Sequence, residues 1–214
     1  MKFDAVIFDL DGTLIDTEAL GWQAGRRAFA EQGIDLEEDL FHQLVGRDKQ
    51  TGGAIIRARY DDVDMAQIER RWAEIVGELY ATDGIPHKPG LLDALAAVDA
   101  AGLPKAICTS SQQGEAELKM TATGLHSHFD VVVTVAHVEN AKPAPEPYLL
   151  AAQQLGVAPG RALAFEDSET GAQAAFAAGL TVVQVPDVIP SSRRFAHFVA
   201  DDLMAGLKWA GIIG

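Results

Sequence analysis

The sequence predicts an α/β fold with a doubly wound parallel sheet and an inserted α-helical cap. Short, continuous apolar runs recur along the chain, which is typical of strands buried on both faces of a sheet. Helical patterns separate most of these runs, as the crossover connections of a parallel sheet require. Between the first two runs, residues 17–87 carry only helical patterns, which indicates that a helical unit is inserted there.

Five strands are predicted from the apolar runs. The first, Ala5–Phe8, ends at acidic residues and a glycine. The others are predicted at residues 106–108, 131–133, 162–165 and 181–185. Crossover helices, with proline or glycine signals at the ends of the last two, are predicted at residues 91–101, 145–155 and 171–178.

The domain boundaries follow from this arrangement. Residues 1–15 and 88–214 are predicted to form the core that contains the sheet, and residues 16–87 are predicted to form the cap. The clearest cap helices are expected at residues 20–32 and 65–80.

The charge balance argues against nucleic acid and membrane partners. The chain has 31 acidic and 17 basic residues, which gives a formal charge of −14. A field of this sign repels both a phosphate backbone and an anionic membrane surface. In addition, no apolar run approaches the ~18 residues that a membrane helix needs.

A cytoplasmic location is predicted from the N-terminal sequence and the cysteine content. The first apolar run is cut by Asp9 and Asp11, so it is too short for a signal peptide. Cys108 is the only cysteine, which allows no internal disulfide. We expect a monomer, the default for a core with a cap.

Polar side chains follow the predicted strands at the points where those strands end. The carboxyl ends of parallel strands meet at one edge of the sheet, and this is where such folds bind ligands. The residues that converge there are Asp9, Asp11 and Gly12 after the first strand, Thr109, Ser110 and Ser111 after the second, Lys142 near the third, and Glu166 and Asp167 after the fourth.

The carboxylates at this edge predict a metal site. Crowded carboxylates repel one another unless a divalent cation binds between them, and hard oxygen ligands suit Mg²⁺. Asp9 and Asp167 are the predicted ligands, together with the backbone carbonyl of Asp11. Glu166 is expected either to be a further ligand or to accept a hydrogen bond beside them.

The same residues predict phosphoryl transfer. Asp9 would attack the phosphorus as a nucleophile and form an acyl phosphate. Asp11 would protonate the leaving oxygen and then take a proton from the water that hydrolyses the intermediate. Gly12 would let backbone amides approach the phosphate oxygens.

Other groups at the edge are predicted to hold the phosphate. Lys142 and the Thr109 hydroxyl would contact its oxygens, with help from the amides of Ser110 and Ser111. An anionic substrate must rely on such local groups, because the overall charge of the chain opposes its binding.

Two further residues are candidates for contacts with the rest of the substrate. Arg47 follows a glycine in the predicted cap, and Gln113 lies just after Ser110 and Ser111, in what we call the serine loop. An arginine in such a position is as often a solvated surface charge.

The ordered motifs carry a family resemblance. Asp9-Leu-Asp-Gly-Thr, Thr109, Lys142-Pro-Ala-Pro and Glu166-Asp-Ser-Glu-Thr-Gly resemble the haloacid-dehalogenase-like hydrolases over nearly the whole chain. The closest likeness is to the subgroup with a helical cap, which includes β-phosphoglucomutase and sugar-phosphate phosphatases. The resemblance implies a Rossmann-like core, Mg²⁺ and an aspartyl-phosphate on Asp9. It therefore implies a phosphatase that acts on a small phosphorylated metabolite such as a sugar phosphate.

Three positions refine this resemblance. Members that remove halogens carry a bulky aromatic residue at the position of Asp11, so an acid there favours phosphate chemistry. The mutases carry a histidine at the position of Gly21 and often a valine at that of Thr13. Both differences favour hydrolysis over a mutase.

Three other functions were weighed against hydrolysis. A β-phosphoglucomutase-like phosphomutase would use the same Asp9 and return the phosphoryl group to a second hydroxyl. A non-enzymatic phospho-acceptor domain also gathers acids and a lysine at a sheet edge, but it lacks so large an insertion. A dinucleotide-binding module predicts a Gly-x-Gly-x-x-Gly turn after the first strand, where this chain has Asp9-x-Asp11.

Overall fold

The computed structural model describes residues 2–44, 49–60 and 63–214. The chain divides into two compact units. The first comprises Met1–Ile15 and Pro86–Gly214, and the second comprises Asp16–Ile85. Pro86 and His87 therefore group with the unit that contains the sheet.

The first unit contains a six-stranded sheet in which every pairing is parallel. Its strands are β1 (Ala5–Phe8), β2 (Lys105–Cys108), β3 (Val131–Val133), β4 (Ala162–Glu166), β5 (Thr181–Gln184) and β6 (Phe198–Val199). The spatial order is β3-β2-β1-β4-β5-β6. The order reverses at β1, so its carboxyl end opens into the crevice where doubly wound sheets bind ligands. The predicted α/β fold class is confirmed.

Helices occur in both units. In the described part of the second unit they are α1 (Thr17–Ala30), α2 (Glu38–Leu44), α3 (Lys49–Arg59) and α4 (Met65–Thr82). In the first unit they are α5 (Leu91–Ala100), α6 (Gln113–Thr123), α7 (Glu146–Gln154), α8 (Glu169–Ala177) and α9 (Leu203–Trp209). Within the described ranges, none of these helices combines the length and apolar character needed to cross a membrane.

Burial explains why the strand sequences are continuously apolar. All residues of β1, β2 and β4 are buried, because helices cover both faces of the sheet. Small side chains line the helices packed on one face, including Ala151 of α7 and Ala174 of α8. Alanines at such positions let a helix backbone approach the sheet closely while the interior stays fully packed.

Helix caps set where two helices begin. The Asp16 side chain accepts a hydrogen bond from the Ala19 amide at 3.2 Å, so α1 starts at Thr17, three residues before its predicted start. Ser168 caps α8 by accepting a hydrogen bond from the Gly171 amide at 3.1 Å. This cap fixes the turn that carries Asp167.

The second unit has its own apolar core. Phe29 of α1, Phe41 of α2 and Ile68 of α4 belong to one buried cluster, against which Trp72 packs. A Cβ at Gly25 would lie 2.8 Å from the Trp72 ring, so the glycine makes room for the indole. Trp72 is thus a packing residue of this unit.

A short bridge joins the two ends of the inserted segment. Ile15 pairs with His87 in an antiparallel β-bridge. Beside it, the Lys88 amide donates a hydrogen bond to the Leu14 carbonyl at 2.9 Å. All four residues belong to the first unit, so the core itself closes the point at which the insertion enters and leaves.

Candidate active site

Lys142 binds the carboxylate that follows the central strand. Its Nζ lies 2.7 Å from Oδ1 of Asp9, 2.6 Å from Oε1 of Glu166 and 2.8 Å from the Cys108 carbonyl oxygen. The Lys142 side chain is 4% exposed. An ammonium group has three protons, and these three acceptors use all of them.

The buried charges shift the titration of this cluster. Burial raises the pKa of Asp9; the Lys142 ammonium opposes this, and the Glu166 carboxylate adds to it. Burial also raises the pKa of Asp167, to which the charges of Asp9 and Glu166 contribute further. Burial acts against the charge of Lys142, but Asp9 and Glu166 outweigh it and hold the pKa well above its ordinary value. The cluster thus has more negative charge than Lys142 can balance.

Three carboxylates of this cluster are close enough to share a cation. One oxygen from each of Asp9, Glu166 and Asp167 lies within 4.8 Å of the other two. Carboxylate oxygens are the hard donors that Mg²⁺ and similar cations prefer. A divalent cation would also supply the positive charge that the cluster lacks.

Glu166 is already engaged by hydrogen bonds. Its Oε1 accepts from Lys142 and, at 2.7 Å, from the Tyr148 hydroxyl, while its Oε2 accepts from Ser168 at 3.1 Å. A Cβ at Gly171 would lie 1.8 Å from Oε1, so only glycine leaves room for this carboxylate. Of the two roles predicted for Glu166, these contacts favour that of a hydrogen-bond acceptor beside the metal ligands.

Asp167 is held from several sides. Gln184 donates a hydrogen bond to its backbone carbonyl at 3.0 Å, and the Thr13 hydroxyl lies 3.4 Å from its Oδ1. Gly12 adopts a φ of 80°, in the left-handed region that favours glycine. The Asp167 carboxylate lies against Gly12, where a larger residue would meet it.

Asp11 contacts a serine and a second buried lysine. Its Oδ2 accepts a hydrogen bond from the Ser111 hydroxyl at 3.0 Å, and its Oδ1 lies 2.7 Å from Nζ of Lys119. Burial acts against the charge of Lys119, but the carboxylates of Asp11 and Glu115 outweigh it and raise the pKa. Asp11, the predicted proton carrier, is therefore paired with Lys119, which was not among the predicted site residues.

The serine loop after β2 is only partly as predicted. Thr109 is buried, and its hydroxyl accepts a hydrogen bond from the Ser111 amide at 3.0 Å. That amide, predicted to bind phosphate, thus has a partner within the loop. Ser110 and Gln113 are exposed, with Gln113 in the first turn of α6. Arg47 lies outside the described residues.

Two functional candidates escaped the sequence interpretation. Lys119 occupies the buried face of α6 with Ala116 and Met120, and a lysine on an apolar stripe was the available signal. Tyr148 follows the loop that carries Lys142, and its position in the sequence is typical of an ordinary aromatic core residue. Its hydroxyl is buried, however, and a buried hydroxyl requires a partner, which here is Glu166.

Comparisons with known proteins place this site in context. A model of the haloacid dehalogenase-like hydrolases matches residues 6–185. The phosphorylated carbohydrates phosphatase of Thermotoga maritima is 34% identical over 177 residues, which cover 83% of this chain and 82% of the relative. The fructose-1-phosphate phosphatase YqaB of Escherichia coli is 34% identical over 185 residues, which cover 86% of this chain and 97% of the relative.

A solved structure gives the same result for the fold. A haloacid dehalogenase-family hydrolase from Deinococcus radiodurans, determined with bound phosphate and sodium, superimposes with a TM-score of 0.86. The two sequences are 30% identical, and the match covers 99% of this chain and 98% of the other.

Proposed function

Since this chain belongs to the haloacid dehalogenase-like hydrolases and is a phosphoric monoester hydrolase, we propose that it hydrolyses a small sugar phosphate through an aspartyl-phosphate on Asp9. One observation carries the proposal. The Asp9 carboxylate is buried at the carboxyl end of the central strand, 2.7 Å from Lys142 and close to Asp167 and Glu166. The relatives named as sugar-phosphate phosphatases support the choice of substrate class.

Asp9 is the proposed nucleophile. One of its carboxylate oxygens forms a bond to the phosphorus while the bond from phosphorus to the sugar oxygen breaks. Lys142 holds Oδ1 of Asp9 at 2.7 Å, which fixes the orientation of the carboxylate before the substrate arrives. Its ammonium charge also offsets part of the negative charge that the phosphate brings into a buried site.

Asp11 is the proposed proton carrier. It gives a proton to the leaving sugar oxygen as the acyl phosphate forms. It then accepts a proton from the water that attacks the phosphorus, and this step releases inorganic phosphate and restores Asp9. Its contacts to Ser111 and Lys119 differ from the contact of Asp9 to Lys142, and different surroundings suit the two carboxylates to different roles.

Mg²⁺ is the proposed cofactor. The carboxylates of Asp9 and Asp167, with the backbone carbonyl of Asp11, would hold it, and Glu166 would orient Lys142 beside it. When bound, the cation would neutralise the charge of the carboxylates and of the phosphate oxygens. The raised pKa values of Asp9 and Asp167 support this assignment, because both carboxyls lack sufficient positive charge nearby.

The experiment that tests the proposal measures phosphate release. Purified protein is given a panel of sugar phosphates, phosphoglycolate and nucleoside monophosphates, with Mg²⁺ or with EDTA. We expect release from sugar phosphates that needs Mg²⁺ and falls more than about 1,000-fold in Asp9→Asn. Asp4→Asn serves as the matched control, because Asp4 precedes the same strand but pairs with Arg161 at the surface.

Two results would contradict the proposal. If folded protein with Mg²⁺ releases no phosphate from any substrate, the hydrolase assignment is wrong. Glucose 1-phosphate and a bisphosphate primer provide the second arm. If glucose 6-phosphate then forms faster than free phosphate, the protein is a mutase.

A further inference from the structure

A buried lysine outside the Asp9 cluster has its ammonium group at the active site. Lys119 is 4% exposed, although it lies on a helix of the first unit. Its Nζ lies 2.7 Å from Oδ1 of Asp11, 3.0 Å from the Ser111 hydroxyl oxygen and 2.5 Å from Oε1 of Glu115. The first contact is with the carboxylate proposed to carry the proton, and the second is with the serine that also binds that carboxylate.

Ser111 completes the contact from the other side. Its hydroxyl donates to Oδ2 of Asp11 at 3.0 Å while it accepts from Lys119. Its amide donates to the Thr109 hydroxyl, which ties the serine to the end of β2. Both oxygens of Asp11 are therefore held by groups that are themselves anchored to β2 and α6.

Stability alone does not explain a lysine at this position. The neighbours on the same helix face are Ala116 and Met120, both buried and apolar. An apolar residue of similar length would fill the space without the desolvation that a buried ammonium group requires. The role of the buried Lys119 side chain therefore lies in the groups that its ammonium contacts.

We propose that Lys119, together with Ser111, positions the Asp11 carboxylate for proton transfer to the leaving group. The inference rests on the proposed function, in which Asp11 donates that proton. Lys119 acts through Asp11 and is a positioning residue. A carboxylate that loses such contacts samples several rotamers, and proton transfer is efficient only from the correct one.

Leaving-group dependence separates this role from a general structural one. A sugar oxygen leaves poorly without a proton, whereas p-nitrophenolate leaves readily without one. Since kcat/KM reports only the steps through formation of the acyl phosphate, it isolates the step in which the leaving group departs. Loss of positioning should therefore affect a sugar phosphate far more than p-nitrophenyl phosphate.

The experiment compares Lys119→Met with wild type on both substrates. We expect kcat/KM to fall about 100-fold for the best sugar phosphate and no more than about fivefold for p-nitrophenyl phosphate. Ser111→Ala should show the same selectivity with a smaller loss, and it keeps the test available if Lys119→Met folds poorly. Lys105→Met is the matched control, because the Lys105 and Lys119 side chains are each 5% exposed and each pairs with a carboxylate.

The failure of this inference is distinguishable from failure of the proposed function. If wild type is active and Asp9→Asn is not, but both variants slow the two substrates equally, the positioning role is wrong and the hydrolase assignment stands. An equal loss confined to Ser111→Ala would instead assign Ser111 to phosphate binding and also overturn the inference. If wild type releases no phosphate at all, the proposed function fails and the inference fails with it.

Discussion

Gly12 and Asp167 are in such close contact that a side chain at position 12 would displace the Asp167 carboxylate. A Cβ at Gly12 would lie 2.4 Å from Oδ2 of Asp167. The φ of 80° at Gly12 independently favours glycine. The turn after β1 therefore shapes the proposed metal site as well as the approach of backbone amides to phosphate.

Gly12→Ala should greatly lower the rate of phosphate release while costing only modest stability. The left-handed backbone alone costs about 1–2 kcal/mol with a side chain, and the added methyl group displaces Asp167. Gly102→Ala is the control, because Gly102 has a φ of 68° and open space around it. We expect both variants to lose similar stability in urea unfolding, and only Gly12→Ala to lose phosphate release, by about 100-fold or more. Equal activity of the two variants would contradict the role given to this contact.

Asp167→Asn should stabilise the metal-free protein and remove its response to Mg²⁺. Burial and the charges of Asp9 and Glu166 raise the pKa of Asp167 in the folded state. A carboxyl with a raised folded pKa contributes stability at low pH, and this contribution is lost as the pH rises from the unfolded value through the folded one. At pH 8 in EDTA, the variant should therefore be more stable than wild type by about 1 kcal/mol or more.

Added Mg²⁺ should reverse that order. Wild type should gain about 2.7 kcal/mol at a concentration 100 times the dissociation constant, whereas Asp167→Asn should gain little. Unfolding in urea with EDTA or Mg²⁺ measures both effects, and Asp201→Asn, at an exposed position, is the control. If Mg²⁺ stabilises Asp167→Asn as much as wild type, Asp167 is not a ligand.

Lys142→Arg should be much less active than wild type even though the charge is kept. The ammonium group donates to three acceptors between 2.6 and 2.8 Å, and a larger, planar guanidinium does not reproduce this point-charge geometry. We expect kcat to fall about 100-fold. Lys88→Arg is the control, since Lys88 also forms a shielded ion pair, with Asp187 at 2.6 Å. Wild-type rates in Lys142→Arg would show that only the charge matters.

The residues brought together around Asp9 were predictable because each lies at the carboxyl end of a strand or in the loop that leaves it. Parallel strands place their carboxyl ends at one edge, so Asp9, Lys142 and Asp167 could be expected to meet from chain position alone. Lys119, which binds Asp11 together with Ser111, could not be found in this way. Periodicity indicates that Lys119 is buried, but it does not indicate which group its ammonium meets.

The remaining differences also have physical causes. β6 spans only Phe198–Val199, which is too short to produce an apolar run that stands out in the sequence. The Ser111 amide was predicted to bind phosphate, but the sequence does not reveal that the Thr109 hydroxyl lies within reach of it. Local hydrogen bonds between a side chain and a nearby amide depend on turn geometry that residue patterns specify only weakly.

The bridge between Ile15 and His87 bears on how such chains diversify. Because the core pairs these residues itself, the cost to the core of closing a longer segment between them is an entropy that grows slowly with length. A longer, shorter or different inserted segment is therefore compatible with the same register of the strand that leads to Asp9. Changes in the inserted segment can thus leave the catalytic residues of the sheet in place.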